Sequence, residues 1–135
     1  MSKLSILIPS RDRPKHLINL LREIYVQTHL PDEVVICDQS VASLSEIIAK
    51  KFSDQAKPKV LYYHEPEING LVEARKYCVE NMSCKSNYCL FFDDDIHISD
   101  TFIENILQDM SDEYVAVVGN FSPVTAKLGS TLSAR

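Results

Sequence analysis

Short apolar runs alternate along the chain with stretches of helical spacing. Leu4-Ser5-Ile6-Leu7-Ile8 reads as a strand, closed by Pro9 and the polar loop of residues 10–13. Pro14 suits the first turn of a helix, and Leu17, Leu20, Leu21 and Ile24 give that helix one apolar face to about Thr28. Val34-Val35-Ile36-Cys37 is a second buried strand, ending in Asp38-Gln39-Ser40. Ser43 followed by Glu46 is a capping-box pattern, and Leu44, Ile47, Ile48 and Phe52 line the helix behind it. Lys59-Val60-Leu61-Tyr62-Tyr63 is a third, more exposed strand. Asn69-Gly70 opens a helix with Leu71, Ala74, Cys78 and Met82 on its core stripe.

Tyr88-Cys89-Leu90-Phe91-Phe92 has the continuous apolar character of a strand buried on both faces. Ser99 is placed to cap the next helix, which carries Phe102, Ile103, Ile106, Leu107 and Met110. Tyr114-Val115-Ala116-Val117-Val118 reads as a fifth strand, ended by Gly119. Strand and helix repeated this regularly predict an α/β domain over residues 1–119, an open, mostly parallel sheet with helices on both faces. Residues 120–135 form a small polar tail without helical period. Right-handed crossovers bring the C-terminal strand ends to one edge, where open α/β sheets bind ligands. Residues 10–13, 38–40, the start of the Asn69 helix and residues 93–95 all converge there.

The candidate chemistry begins at that edge with Asp93, Asp94 and Asp95. Alternation in extended backbone points Asp93 and Asp95 one way and Asp94 the other. Neighbouring carboxylates repel unless a cation lies between them. An all-oxygen site of this kind suits Mg²⁺ or Mn²⁺ completed by phosphate. The expectation is that no basic residue stands beside these carboxylates to neutralise a diphosphate, which motivates a metal. The plainer alternative is a solvated acidic turn before the next helix. His97 shares the parity of Asp93 and Asp95 and so is a further metal candidate, against the more common unliganded histidine. Arg75 falls on the apolar stripe near its helix N-terminus, where it needs an anion or must extend to solvent. Asp38 can accept hydrogen bonds from a base or ribose, or serve as a turn residue. Arg11 and Arg13 are either phosphate contacts or solvated loop arginines.

Composition narrows the classes. The chain has 135 residues, 45% hydrophobic and 24% charged, which suits one globular domain with a real core. A formal net charge of −5 gives no basic surface for nucleic acid or an anionic membrane. Cys37, Cys78, Cys84 and Cys89 lack zinc-site spacing, and Cys37 and Cys89 sit in apolar runs as small buried hydrophobes. A reduced, cytoplasmic setting is expected, with a membrane-peripheral one open to a longer protein.

Together these segments resemble the nucleotide-binding half of family-2 glycosyltransferases with the A-type fold. The resemblance runs through Leu4-Ser-Ile-Leu-Ile-Pro-Ser10 with Arg13-Pro14, then Asp32-Glu-Val-Val-Ile-Cys-Asp-Gln-Ser40. It continues through Asn69-Gly-Leu-Val-Glu-Ala-Arg75 and Leu90-Phe-Phe-Asp-Asp-Asp95. It implies a nucleoside-diphosphate sugar as donor, UDP first, and a saccharide or lipid-linked saccharide as acceptor in the full-length protein. Pro9, Ser10 and Asp38 would lie near base and ribose, with Arg75 near base or diphosphate. Asp95 would be the principal metal contact, and Asp93 a ribose or metal contact. Gln39 stands where many members carry a second aspartate. The family's catalytic acid lies well beyond the metal motif, and after Glu113 this sequence has no Asp, Glu or His. The expectation is therefore a truncated A-type fold that binds donor without transferring sugar, its uncovered sheet inclined to pair with another copy. A stand-alone nucleotide-binding module is the alternative. A phosphatase-like pair of aspartates fits poorly, because His97 stands where those enzymes usually carry Thr or Val.

Overall fold

The computed structural model describes residues 3–52, 56–83, 88–110, 120–122 and 131–133. The expected strand at 114–118 and Cys84 lie outside them. The described chain runs β1 (Leu4–Ser10), α1 (Pro14–Tyr25), β2 (Glu33–Asp38), α2 (Ser45–Phe52), β3 (Lys59–His64) and α3 (Leu71–Glu80). It continues with β4 (Tyr88–Phe91), β5 (His97–Ile98), α4 (Phe102–Asp109), β6 (Asn120–Ser122) and β7 (Thr131–Ser133). Four strands form a parallel sheet in the order β3-β2-β1-β4. β7 pairs in parallel with β5 and antiparallel with β6, a small sheet the hydropathy pattern does not mark.

Alternation along the parallel strands sorts the core into two layers. Leu4, Ile6 and Ile8 of β1 join Val34 and Ile36 of β2 under Leu17, Leu20, Leu21 and Ile24 of α1 and Ile103 and Ile106 of α4. Leu7, Val35 and Cys37 face the opposite way, against Ala74 and Cys78 of α3. Helices therefore cover both faces of the sheet, as expected. Glu33 is buried at the start of β2, where its carboxylate accepts hydrogen bonds from the Ser5 and Ser83 hydroxyls. Those partners offset the cost of removing its charge from water.

Several local expectations change. β4 is not buried on both faces: Cys89 is exposed and Phe91 is 50% exposed. It is the terminal strand of the described sheet; Cys89 Sγ lies 3.5 Å from Met82 Sδ, and the Arg75 guanidinium of α3 reaches the Phe91 ring. Leu71, the first residue of α3, is 49% exposed. Ile47 is likewise exposed on α2. Helix α1 ends at Tyr25, short of Thr28. Ser99 is not the cap of α4; Thr101 holds that position, and its side chain makes no capping bond. α2 begins at Ser45, and just ahead of it the Ser43 hydroxyl accepts the Ser45 N–H at 3.1 Å. Among the described residues no helix is long and apolar enough to cross a membrane.

Leu17 is fully buried between α1 and the sheet. Leu17→Ala should lower unfolding stability by about 2–5 kcal/mol, read from the urea midpoint at unchanged slope. A loss below about 1 kcal/mol would mean that the α1 layer is loosely packed.

Candidate functional site

The order β3-β2-β1-β4 reverses direction at β1, because the chain builds outward through β2 and β3 and then returns to β1's other side. A crevice opens at the C-terminal ends of β1 and β4, the place where such sheets bind ligands. The register fixes what stands there. Ser10 pairs with Asp38, and Leu7 with Phe91. The Phe92 N–H donates to the Leu7 carbonyl at 3.0 Å, so residues 93–95 emerge beside Ser10. A cavity of about 470 Å³ results, lined by loops 9–13 and 93–95 together with Gln39, Gly70 and Leu71.

Asp94 turns inward and is 6% exposed, whereas Asp93 and Asp95 face the opening. The Ser10 hydroxyl donates to Asp94 Oδ2 at 2.9 Å. Arg13 Nη1 lies 2.8 Å from Asp95 Oδ2 and 3.3 Å from Asp94 Oδ1. Burial lifts the Asp94 carboxyl above its ordinary value, although the Ser10 hydrogen bond, the Arg13 charge and the Arg11 N–H pull the other way. Arg75 Nη2 stands 3.8 Å from Asp93 Oδ1, and its guanidinium lies 5.9 Å from the Phe91 ring centroid. The expectation that no basic group adjoins these carboxylates is therefore corrected. Two arginines from distant segments reach them, through contacts that sequence adjacency does not reveal.

Residues 5–131 match the family described as glycosyl transferase family 2. The chain belongs to glycosyl transferase family 2. Glycosyltransferase GlyA of Streptococcus pneumoniae serotype 4 (strain ATCC BAA-334 / TIGR4) is 31% identical over 121 residues, which are 88% of this chain and 17% of GlyA. Among solved structures, S. aureus TarS 1–349 in complex with UDP aligns with a TM-score of 0.58 at 20% identity, over 78% of this chain and 31% of that one. A longer S. aureus TarS structure gives 0.58 at 21% identity, over 78% of this chain and 19% of that one. At these identities the TarS likeness concerns the fold, a partial A-type arrangement. The chain spans well under a third of GlyA's length.

This family-2 chain brings Pro9, Ser10, Arg11, Arg13, Asp93, Asp94 and Asp95 to one cavity. Arg11 Nε lies 3.8 Å from Asp12 Oδ2. Asp38, paired with Ser10 across the sheet, does not line the cavity; it is 1% exposed and accepts hydrogen bonds from the Tyr62 hydroxyl and the Ser40 N–H. Burial, and next the Asp38 carboxylate, push the Tyr62 phenol up to about 12. Arg75 flanks the cavity, and its Nε is buried without a hydrogen-bond partner. His97 turns away, its Nδ1 lying 2.8 Å from Glu23 on α1, and takes no part in the site. Among the described residues no three His, Cys, Asp or Glu side chains group to hold a metal ion.

Sequence reasoning missed two supports. Gln39 Nε2 donates to the Ile68 carbonyl at 2.8 Å and to the Gly70 carbonyl at 3.2 Å, tying the entrance of α3 to β2. Its departure from the family's second aspartate was the available signal, since a carboxylate has no N–H to donate. Asp12 takes the left-handed conformation, φ 55, with its N–H donated to Ser40 Oγ at 2.6 Å. That turn directs the chain from β1 into α1.

The raised Asp94 value sets a pH signature. Between the ordinary carboxylate value and the raised one, the folded chain holds a proton that the unfolded chain has lost. Stability from this group is therefore present at lower pH and is lost as pH rises through that window. With chelator present, Asp94→Asn should gain stability relative to the native chain across the window and keep a constant difference above it, by urea unfolding. A difference that moves the other way as pH rises would reverse the sign of the shift.

Proposed function

We propose that this chain forms the donor side of a metal-dependent glycosyltransferase, which moves a sugar from a nucleoside-diphosphate sugar to an acceptor hydroxyl. The observation that carries the reading is the cavity at the β1/β4 switch point, with Asp93 and Asp95 open to it in a family-2 chain. The TarS complex with UDP supports a uridine donor as the first choice. Asp38, held from below by Tyr62, belongs to the base and ribose side, and Pro9 and Ser10 form the wall beside it. Arg75 and the α3 entrance at Gly70 supply positive potential for a diphosphate.

A divalent cation fits this donor set in one particular way. Asp93 and Asp95 offer hard oxygen donors, but among the described residues no third His, Cys, Asp or Glu joins them in a cage. Mg²⁺ or Mn²⁺ would take one or both carboxylates and complete its shell with phosphate oxygens and water, as such ions commonly do. When bound it would neutralise charge on the departing diphosphate. The protein's own contribution is orientation: Asp94 stays inward on Ser10, which fixes the facing of its two neighbours. The reading gives these 135 residues donor binding without acceptor-dependent turnover, on the ground that residues 114–135 carry no Asp, Glu or His to serve as base. Release of nucleotide from UDP-sugars that accelerates with an acceptor, at ordinary enzyme rates, would refute that part.

UDP should bind only with Mg²⁺ or Mn²⁺ present, and Asp95→Ala should remove the cation-dependent part, measured by calorimetry. Equal binding of UDP in EDTA would defeat the metal assignment. Arg75→Ala should weaken UDP by about tenfold or more while sparing uridine, the range of one charge-assisted hydrogen bond.

A further inference from the structure

Arg13 is placed differently from an ordinary loop arginine. A single nitrogen, Nη1, faces carboxylates of both Asp94 and Asp95, at 3.3 and 2.8 Å. Arg13 is also the N-cap residue of α1, yet its side chain makes no capping bond. The first turn behind it holds no acidic residue, and Lys15 and His16 follow Pro14 within that turn. A cation at a helix N-terminus is opposed by the helix dipole and by its basic neighbours. What holds the guanidinium there is the acidic pair across the crevice, reached because the left-handed Asp12 is pinned to Ser40. Arg13 is half-exposed and Asp95 nearly so, and both line the open cavity, so the contact can be exchanged.

The geometry points to Arg13 as an internal counter-ion that competes with the divalent cation for Asp95 and, once displaced, turns to the diphosphate. This rests on the donor-site reading above and adds a coupling to it. A cation arriving alone must displace the guanidinium from Asp95 and leave it only the longer Asp94 contact at the positive end of α1. A diphosphate arriving alone meets an arginine already neutralised and a carboxylate facing it. Arriving together, each removes the other's obstacle, because the cation takes the carboxylate and the phosphate takes the arginine. Cation and nucleotide diphosphate should then bind cooperatively, and by linkage the factor is the same in either order.

The test measures Mn²⁺ affinity by the loss of the free-ion electron paramagnetic resonance signal, with and without UDP. It uses the native chain, Arg13→Gln and Arg13→Lys, each shown to be folded by circular dichroism. Without UDP, Arg13→Gln should bind Mn²⁺ more tightly, by up to about fivefold, the upper range for a partly exposed charge pair. The enhancement that UDP gives should shrink in the same variant. Arg13→Lys, which keeps the charge, should return both values toward the native ones. A purely structural arginine would not raise cation affinity when removed. If Arg13→Gln binds Mn²⁺ no better than the native chain while UDP and Mn²⁺ still bind the native chain together, the counter-ion role is overturned and the donor site stands. If the native chain binds Mn²⁺ neither alone nor with UDP, both fall.

Discussion

The backbone hydrogen bonds along the two sides of β1 are the constraint on which the site depends. On one side the Gln39 N–H donates to the Ser10 carbonyl at 2.8 Å; on the other the Phe92 N–H donates to the Leu7 carbonyl at 3.0 Å. A parallel register cannot slip by one residue without turning every side chain to the other face. Ser10, Asp38 and Asp94 are therefore fixed against one another by the same ladder that buries Ile6, Ile8 and Ile36. Core packing and site geometry are set together, and a change that loosened one would misalign the other.

Around that ladder the loops are held by side chains that contact backbone. Gln39 grips the carbonyls before α3, Ser40 receives the Asp12 N–H, and His64 Nε2 lies 2.7 Å from the Ser40 carbonyl. Three loops that each follow a different strand are thereby joined without help from a ligand. The charged ends of Arg11, Arg13 and Arg75 are instead held by partly exposed ion pairs, to Asp12, to Asp94 and Asp95, and to Asp93.

The strands and the two-layer core were readable because apolar alternation is a local signal. Ile6 and Leu7 announce opposite faces by parity alone, and the family pattern added the order of the four motifs. The errors arose where local period met a global boundary. Leu71 shares the stripe of Ala74 and Cys78, but it stands at the first position of α3 in the wall of the open cavity and stays 49% exposed. Cys89 and Phe91 looked like core in an apolar run, but the strand order puts them on the outermost described strand. His97 has the right parity for the acidic cluster, yet Asp94 and Asp95 form a turn that breaks the alternation before reaching it. The arginine contacts were illegible for another reason. Arg13 and Asp95 are 82 residues apart, and only the fold brings them together.

Gly70 carries a consequence of a different kind. It stands at the entrance of α3 with φ +100, and a Cβ built there would meet no atom within 4 Å. The site thus excludes ordinary side chains by handedness and not by size. Positive φ is costly to an L-residue and relaxed for its mirror image. A D-alanine introduced by chemical ligation would fit where L-alanine strains the turn, making the doorway to the cavity a chiral requirement with empty space around it.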